Sequence, residues 1–594
     1  MRTLPIHAFV LTLIALAARN AAVEAELRAA APTAEAARIP APHGGGPTST
    51  VPPPPPRAQP QVPAYTGPKD TNNPPTTRTP PGPSSPSTPP VAGGGAAAPK
   101  GPSSPRGIAL AELQDTSWTQ WWDWNRDHFE APQPRAVPEG PTIATPGLRM
   151  AEQALVSLSA SSNSLERASA LQALGRMGAA PELLRKSLED PSREVRFAAL
   201  LGLGSAGSAT HTHTLLSHAR NQSDDEALSI ALTGLAMAPA GALAPTIGAT
   251  LEPSLGDGRL EVFAAAAMAS GPLGAPELRA MTLAALTTGK SPLHRAVAAH
   301  TLGLGADGEA VAALTVAAAD RSVDVRRSAA LALGRSHHAL ALPALQAAYE
   351  LEHDQLTRAM LLLAVGDHGG LAGKDFLCAE MTQGSKAVRG FAALALGLWG
   401  RARGDASVAA PIQKALGAER NRDQRGAYLL ALGLLRHDGS RDLLIGELTT
   451  STSATRGAAA AALGMLGNGA ALDALAGSLR EDSCPLVRSH VTRALTSLGQ
   501  PAIETLRTAV REDVHSGVRN SAAFALGGIA DPSVVADLIA LVRDERNPAE
   551  LRAGAAFGLG RYFRRHDPRL PDLRFQYNFT LLPALVAWAF GQEL

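Results

Sequence analysis

The stretch DVRRSAALALGRSH, residues 324–337, decides the fold of this 594-residue chain. Its first arginine, Arg326, precedes Gly334 by eight residues, and alanine and leucine dominate the residues between them. A helix of this composition is apolar on several sides and therefore has to be buried on several sides. The stretch predicts a helix that packs closely against more than one neighbouring helix.

The same arrangement recurs along the chain, which indicates an internal repeat. The clearest further copies are anchored by an arginine and a glycine eight residues apart: Arg196 and Gly204, Arg389 and Gly397, Arg456 and Gly464, and Arg519 and Gly527. With the weaker copies there are thirteen anchors between residues 175 and 560, about one every 32 residues. That period suits two short helices and two turns, and a second helix, often entered through proline, follows each anchor.

The pattern D-x-x-x-x-V-R-x-x-A-A-x-A-L-G, as in residues 320–334, resembles the HEAT family, in particular its phycobilisome-lyase-like repeats. The resemblance covers residues 150–565 and implies an all-α, right-handed α-solenoid of about thirteen HEAT-like helical-hairpin repeats. It also implies that the repeated arginines and glycines are structural anchors and not an anion site. HEAT-like hydroxylases carry His-Glu metal ligands, and this sequence contains no His-Glu dipeptide.

The chain ahead of the repeats has a different composition. Residues 1–25 have the short basic start, apolar run and small residues of a secretory signal peptide, although an uncleaved tail or membrane anchor is the alternative. Residues 26–106 hold 23 of the 46 prolines and almost no large apolar residue, which predicts a disordered Pro/Gly/Ser/Thr/Ala-rich linker. We therefore expect an extracytoplasmic protein, in the periplasm, at the cell surface or secreted.

The segment of residues 107–149 contains SWTQWWDWNRDHF, residues 117–129, with four of the six tryptophans. The helical period places one polar and four aromatic residues on a single face: Trp118, Trp121, Trp122, Asn125 and Phe129. We expect this Trp-rich segment to cover the apolar flank of the first repeat as an N-terminal cap, and residues 566–594 to cap the last repeat. The alternative is an aromatic platform for envelope glycans or quaternary amines.

Two weak copies, with the chain between them, differ from the others. They have an acidic residue eight positions before their anchors, Gly234 and Ala269, and residues 227–276 are almost without charge. Degenerate, buried helices explain this, and the sharper alternative is an exposed apolar segment on which a partner docks. The candidate docking residues are Glu226, Leu235, Glu261 and Phe263.

The remaining features exclude several functions. A balance of 54 basic against 53 acidic residues gives no overall attraction to nucleic acid, and Gly and Pro interrupt the longest uncharged stretch, so no integral membrane span is expected. Cys378 and Cys484 are about three repeats apart and should be free thiols. We predict no catalytic, cofactor-binding or metal-binding residues. The sequence favours a non-catalytic exported scaffold for protein partners; the alternatives are a lyase-like HEAT enzyme or enzyme subunit and a glycan binder.

Overall fold

The computed structural model describes residues 146–238, 241–303, 306–450 and 452–563. These residues form 26 α-helices joined by short turns, and they contain no β-strand. The odd-numbered helices are α1 (Pro146–Leu158), α3 (Pro181–Lys186), α5 (Ala209–Arg220), α7 (Ala244–Leu255), α9 (Pro276–Thr288), α11 (Gly308–Ala317), α13 (Ala341–Leu351), α15 (Gly373–Gln383), α17 (Ala409–Ala418), α19 (Arg441–Thr450), α21 (Leu472–Glu481), α23 (Ile503–Glu512) and α25 (Ser533–Arg543). The even-numbered helices are α2 (Ser164–Arg176), α4 (Arg193–Ser205), α6 (Asp225–Met237), α8 (Leu260–Ser270), α10 (Pro292–Leu302), α12 (Val323–Ser336), α14 (Gln355–His368), α16 (Lys386–Arg403), α18 (Arg422–Leu434), α20 (Ser453–Leu466), α22 (Pro485–Leu498), α24 (Ser516–Leu526) and α26 (Ala549–Tyr562).

The helices form two layers. Each odd-numbered helix packs against the even-numbered helix that follows it, and each even-numbered helix packs along the next even-numbered helix. All thirteen predicted copies therefore have an even-numbered helix in the structure. The all-α solenoid expected from the sequence is confirmed.

Small residues allow the even-numbered helices to touch through their backbones. A Cβ atom added at Gly334 would lie 2.7 Å from the carbonyl oxygen of Ala364 in α14, and one at Gly464 would lie 2.7 Å from Cα of Ala494 in α22. No side chain fits into such a contact unless the helices move apart. The glycine of the repeat is therefore required by the close approach of two helices.

The solenoid closes on itself. The last even-numbered helix, α26, packs along the first, α2, and α25 packs against α1. A Cβ atom at Gly560 in α26 would lie 2.8 Å from Cα of Ala173 in α2, which is the same type of contact that Gly464 makes with Ala494. The described repeats thus form a closed ring, and we call the interface between its last and first helices the seam.

The N-terminal and C-terminal caps were expected because an open solenoid has an exposed apolar flank at each end, and the closed ring has no such flanks. The apolar flank of α2 is covered by α26, and each end of the solenoid buries the other. The proposed signal peptide, linker, Trp-rich segment and C-terminal segment lie outside the described residues, apart from the start of α1. A capping role for Trp118, Trp121, Trp122, Asn125 and Phe129 stays a prediction, without the open flank that motivated it.

The longest uncharged stretch of the sequence is divided between two helices. Helix α6 ends at Met237, and α7 begins at Ala244. Among the helices that the structure describes, none combines the length and apolar character needed to cross a bilayer.

Candidate functional site

Arginine is the fourth residue of eleven of the thirteen even-numbered helices. These arginines therefore lie at the N-terminal ends of the even-numbered helices, beside the turns that precede them. Nη1 of Arg488 in α22 donates a hydrogen bond to the carbonyl oxygen of Asp482, 2.8 Å away in the preceding turn. Its Nε and Nη2 donate to the carboxylate of Asp513 in the next repeat, at 2.8 and 2.9 Å. One guanidinium therefore holds its own turn and binds the neighbouring repeat through a bidentate pair.

The carboxylate of Asp513 also binds a backbone N–H in its own turn. Oδ1 of Asp513 also accepts the N–H of His515, 2.8 Å away, and so fixes the turn before α24. Burial raises the pKa of Asp513, but the Arg488 guanidinium and the His515 N–H outweigh burial and hold the pKa below its usual value. The side chains of Arg488 and Asp513 are 8% and 7% exposed, so this is a largely desolvated ion pair.

Equivalent pairs link other neighbouring repeats, and we call the set the arginine ladder. Its further members are Arg167 with Asp190, Arg295 with Asp320, Arg326 with Glu352, Arg425 with Glu447, and Arg456 with Asp482. At the seam, Arg552 of α26 binds Glu166 of α2 at 2.8 Å. Serine occupies the usual aspartate position there, and Ser161 donates a hydrogen bond to Glu166. The ladder thus continues across the closure of the ring.

Helices α6 and α8 have no arginine at the fourth position, and the structure corrects their alignment with the other repeats. The fourth residues are Leu228 and Phe263, two positions after the expected Glu226 and Glu261. In most other repeats the anchor glycine approaches the residue two positions before the next anchor, as Gly334 approaches Ala364, and Gly204 approaches Gly234. Gly234 is therefore not the anchor of its repeat, and its spacing of eight residues from Glu226 was misleading.

The missing aspartate in this region leaves one arginine without its usual partner. Nη1 of Arg196 donates to the carbonyl oxygens of Asp190 and Pro191, at 2.8 and 3.1 Å, as in the other repeats. The aspartate position of the next repeat is occupied by Gln222, and among the described residues no carboxylate pairs with Nε or Nη2 of Arg196. Arg196 instead lines a cleft of about 270 Å³, which we call the Arg196 cleft. Its other lining residues are Leu188, Phe197, Leu200, His218, Gln222, Asp224 and Ala227.

The docking segment expected around α6 and α8 is wrong for its two apolar candidates. Leu235 and Phe263 are 2% and 1% exposed, because both lie in the interior between the helix layers. The Phe263 ring packs at 4.8 Å, between centroids, on the ring of His294. Glu261 is exposed, and the side chain of Glu226 lies outside the described part of the chain. The apolar residues of α6 and α8 in this region are thus buried, and they do not form an exposed docking surface.

Large exposed apolar side chains occur elsewhere, at the turns that precede α13 and α15. Leu340 is 64% exposed and Leu371 is 71% exposed, and they occupy corresponding places in adjacent repeats. The sequence pattern indicated neither leucine, since a leucine in a turn does not take part in the helical periodicity. We call the surface formed by Leu340, Leu371 and the histidines beside them, His337, His338 and His368, the leucine edge.

Hydrogen bonds join the turns of the leucine edge to one another. Nε2 of His368 lies 3.1 Å from the carbonyl oxygen of His338 in the neighbouring repeat. Nε1 of Trp399 donates to the carbonyl oxygen of Gly370 at 2.8 Å and so ties the edge to α16. Burial lowers the pKa of His368, which keeps its ring neutral at neutral pH. The two leucines are therefore presented by turns whose relative positions are fixed.

The described residues also show where other reactive groups lie. They contain no group of three or more His, Cys, Asp or Glu side chains placed to hold a metal ion. Cys378 and Cys484 are free, partly buried thiols, and burial together with Asp375 raises the pKa of Cys378. A second cleft, of about 220 Å³, lies between the ends of α16 and α18.

Comparison with protein families assigns the repeats. The family described as HEAT repeats matches residues 152–236, 279–366, 409–496 and 441–527. The family described as PBS lyase HEAT-like repeat matches residues 518–544. No curated protein sequence gives a significant match to this chain.

Solved structures include distant likenesses. The structure of human deoxyhypusine hydroxylase in complex with glycerol is 23% identical over 42% of this chain and 96% of that chain, with a TM-score of 0.22. A structure reported for Kap95p binding to RanGDP is 13% identical over 66% of this chain and 63% of that chain, with a TM-score of 0.31. TM-scores this low carry no argument about this chain. The helices of residues 146–562 form an all-α solenoid, and HEAT-repeat matches lie along it at residues 152–236, 279–366, 409–496, 441–527 and 518–544.

Proposed function

We propose that this chain is an exported, non-catalytic scaffold that binds a protein partner at the leucine edge. The observation that carries the proposal is the exposure of Leu340 and Leu371, at 64% and 71%, in corresponding turns of adjacent repeats. Apolar side chains that are this exposed, in turns of adjacent repeats that also carry polar groups, are typical of contact surfaces for other proteins.

The rigidity of the leucine edge supports the same function. Binding costs less conformational entropy when the contact residues are already ordered, and the hydrogen bonds of His368 and Trp399 order these turns. Burial of the two leucines would contribute about 25 cal/mol for each Å² of apolar surface covered. The partner would offer an apolar surface bordered by hydrogen-bond acceptors for His337 and His338.

Affinity capture from the envelope fraction of the source cells tests the proposal. The bait proteins are the mature wild type, the double variant Leu340→Glu/Leu371→Glu, and the control Val514→Glu. Val514 is 91% exposed in a distant turn, so the control adds a charge at an exposed apolar site without touching the leucine edge. We expect at least one protein to be retained by the wild type and the control and lost from the double variant.

A partner retained equally by all three baits would place binding elsewhere on the ring. The absence of any specifically retained protein would count against a scaffold for proteins. Circular dichroism and thermal melting of the three baits guard against unfolding, because all the substituted side chains are exposed and should leave the fold unchanged.

Export is tested on the protein from its source cells. Residues 1–25 have the composition of a signal peptide, which export would remove. Mass spectrometry of the N-terminal peptide should therefore show a chain that begins near Ala22 or Ala25, recovered from an extracytoplasmic fraction. An intact N-terminus in the cytoplasmic fraction would refute export.

A further inference from the structure

Four of the fourth-position arginines have no carboxylate partner among the described residues, and they are Arg196, Arg358, Arg389 and Arg519. Of these four, Arg196 is the one that lines the Arg196 cleft. At Arg488, Nη1 binds a carbonyl oxygen of its own turn, and Nε and Nη2 bind the carboxylate of Asp513 in bidentate fashion. At Arg196 the carbonyl contacts of Nη1 are intact, no carboxylate among the described residues pairs with the guanidinium, and the residue lines the cleft. The fold thus presents a fixed guanidinium whose usual ligand is a carboxylate.

The walls of the cleft indicate what would accompany that carboxylate. Leu188 and Ala227 are half-buried and form the accessible apolar side, whereas Leu200 and Phe197 are each 1% exposed. The Arg193 guanidinium lies 5.4 Å from the centre of the Phe197 ring. His218 and Gln222 form a polar side and are hydrogen-bonded to each other at 2.9 Å. A volume of about 270 Å³ admits one amino-acid residue but not an extended ligand.

Two groups on the polar side decide the electrostatics of the cleft. Asp224 is the acidic residue in the lining, and its Oδ2 accepts the N–H of Ala227 at 3.1 Å as the cap of α6. Burial lowers the pKa of His218, so its ring is neutral at neutral pH and can donate or accept a hydrogen bond. Arg196 therefore provides the cationic group that a ligand carboxylate can reach from within the cleft.

We propose that the Arg196 cleft binds the free C-terminal carboxylate of a polypeptide whose last residue is apolar. Nε and Nη2 of Arg196 take the carboxylate in the way that Arg488 takes Asp513, and the terminal side chain packs on Leu188 and Ala227. The cleft lies between α4 and α6, whereas the leucine edge lies at α13 and α15, so this site does not depend on the proposed scaffold function.

Saturation-transfer difference NMR on the full-length chain tests the site with N-acetyl-L-leucine. N-acetyl-L-leucinamide, which has the same shape and no charge, is the matched ligand control. At about 1–10 mM, where one bound residue is expected to give a measurable population, the acid should give saturation transfer and the amide should bind at least about tenfold more weakly.

A matched pair of variants separates ligand binding from the structural role of the ladder. Arg519 makes the same carbonyl contacts as Arg196, with Asp513 and Val514 at 2.8 and 3.4 Å, and the aspartate position of its next repeat is held by Arg546. We expect Arg196→Gln to abolish saturation transfer to the acid and Arg519→Gln to preserve it, although both variants lose equivalent hydrogen bonds.

A third variant supplies Arg196 with a carboxylate from the protein itself, in the place that the ligand would occupy. Gln222→Asp places a carboxylate where the other repeats have one, so it should pair with Arg196, leave the melting temperature unchanged or higher, and still abolish binding of the acid. Equal binding of acid and amide, unchanged binding to Arg196→Gln, or no saturation transfer with the wild type would each overturn the proposal. None of these outcomes bears on capture at the leucine edge.

Discussion

At the scale of the residue, one aspartate connects three parts of the structure. Asp513 pairs with Arg488 of the preceding repeat, accepts the N–H of His515, and stands at the start of the turn that Arg519 holds through its backbone carbonyl. Loss of its charge would leave a largely buried guanidinium without a counterion.

Asp513→Asn should therefore destabilise the chain by about 3–5 kcal/mol, the cost of breaking a buried ion pair. The free energy of unfolding from urea titration measures the effect. Asp544→Asn is the control, because Asp544 pairs with the 90% exposed Arg546 and should change stability little. Equal effects of the two variants would show that the ladder does not stabilise the ring.

The aspartates also predict how stability depends on pH. In Asp190, Asp320, Asp482 and Asp513, burial raises the pKa, but the paired arginine and a backbone N–H lower it by more, so that the pKa in the folded state lies below its usual value. The unfolded state then binds more protons than the folded state in acid, and this stabilisation is present above the unfolded pKa and is lost as the pH falls through the folded one.

Urea midpoints measured between about pH 7 and pH 3 should therefore decline below about pH 4. The double variant Asp482→Asn/Asp513→Asn should be less stable at neutral pH and decline less steeply. A parallel decline in variant and wild type would assign the acid sensitivity to other carboxylates.

The sequence predicted the ladder arginines as anchors but not their partners. The arginine recurs at a fixed distance from the glycine, whereas its carboxylate is an aspartate in four pairs, Glu352 and Glu447 in two others, and Glu166 at the seam. Because the carboxylate partner changes in residue type and in position between repeats, it has no constant spacing from the arginine by which the sequence could predict it.

At the scale of the element, α6 and α8 show how a correct pattern can be placed wrongly. Eight residues separate Glu226 from Gly234, which reproduces the spacing of the other copies, but the helix begins at Asp225 and its fourth residue is Leu228. The spacing within one helix could not reveal the shift of two positions. The anchor position is identified by the contact that its glycine makes with the neighbouring helix, and that contact is not visible in the sequence of one helix.

The corrected alignment makes a prediction for α8. Phe263 is 1% exposed and takes the place of the arginine, so Phe263→Ala should cost about 3–5 kcal/mol of unfolding free energy. Glu261→Ala, two residues earlier on the exposed side, should cost no more than about 0.5 kcal/mol. Thermal and urea unfolding of the two variants decide the matter, and a larger effect at Glu261 would restore the alignment expected from the sequence.

At the scale of the whole molecule, the closed ring is the feature that the sequence pattern did not predict. Each repeat encodes its contact with the next through local glycines, alanines and arginines, and these predicted the solenoid. Closure depends on the sum of small rotations over all thirteen interfaces, which no single copy of the pattern contains. The expected apolar ends, and the caps proposed for them, followed from treating the array as open.

The seam can be opened at one glycine. Gly560→Leu puts side-chain atoms where a Cβ already lies 2.8 Å from Cα of Ala173, so it should separate α26 from α2 and increase the radius of gyration of the folded chain. Small-angle X-ray scattering measures the change. Gly477→Leu is the control, since a Cβ at Gly477 meets no atom within 4 Å. An unchanged radius and melting temperature for Gly560→Leu would mean that the seam is not closed in solution.

Closure also changes how the molecule can come apart. In a linear array the terminal repeats have one neighbour and fray first, whereas in this ring α2 and α26 are each flanked on both sides. The packing of the ring therefore does not depend on which of its turns is left open between the first and the last helix. A circular permutant that joins Phe563 to Pro146 through a short flexible linker and begins instead between α13 and α14 should fold with the same helical content, and its new ends should be no more protease-sensitive than the original ones.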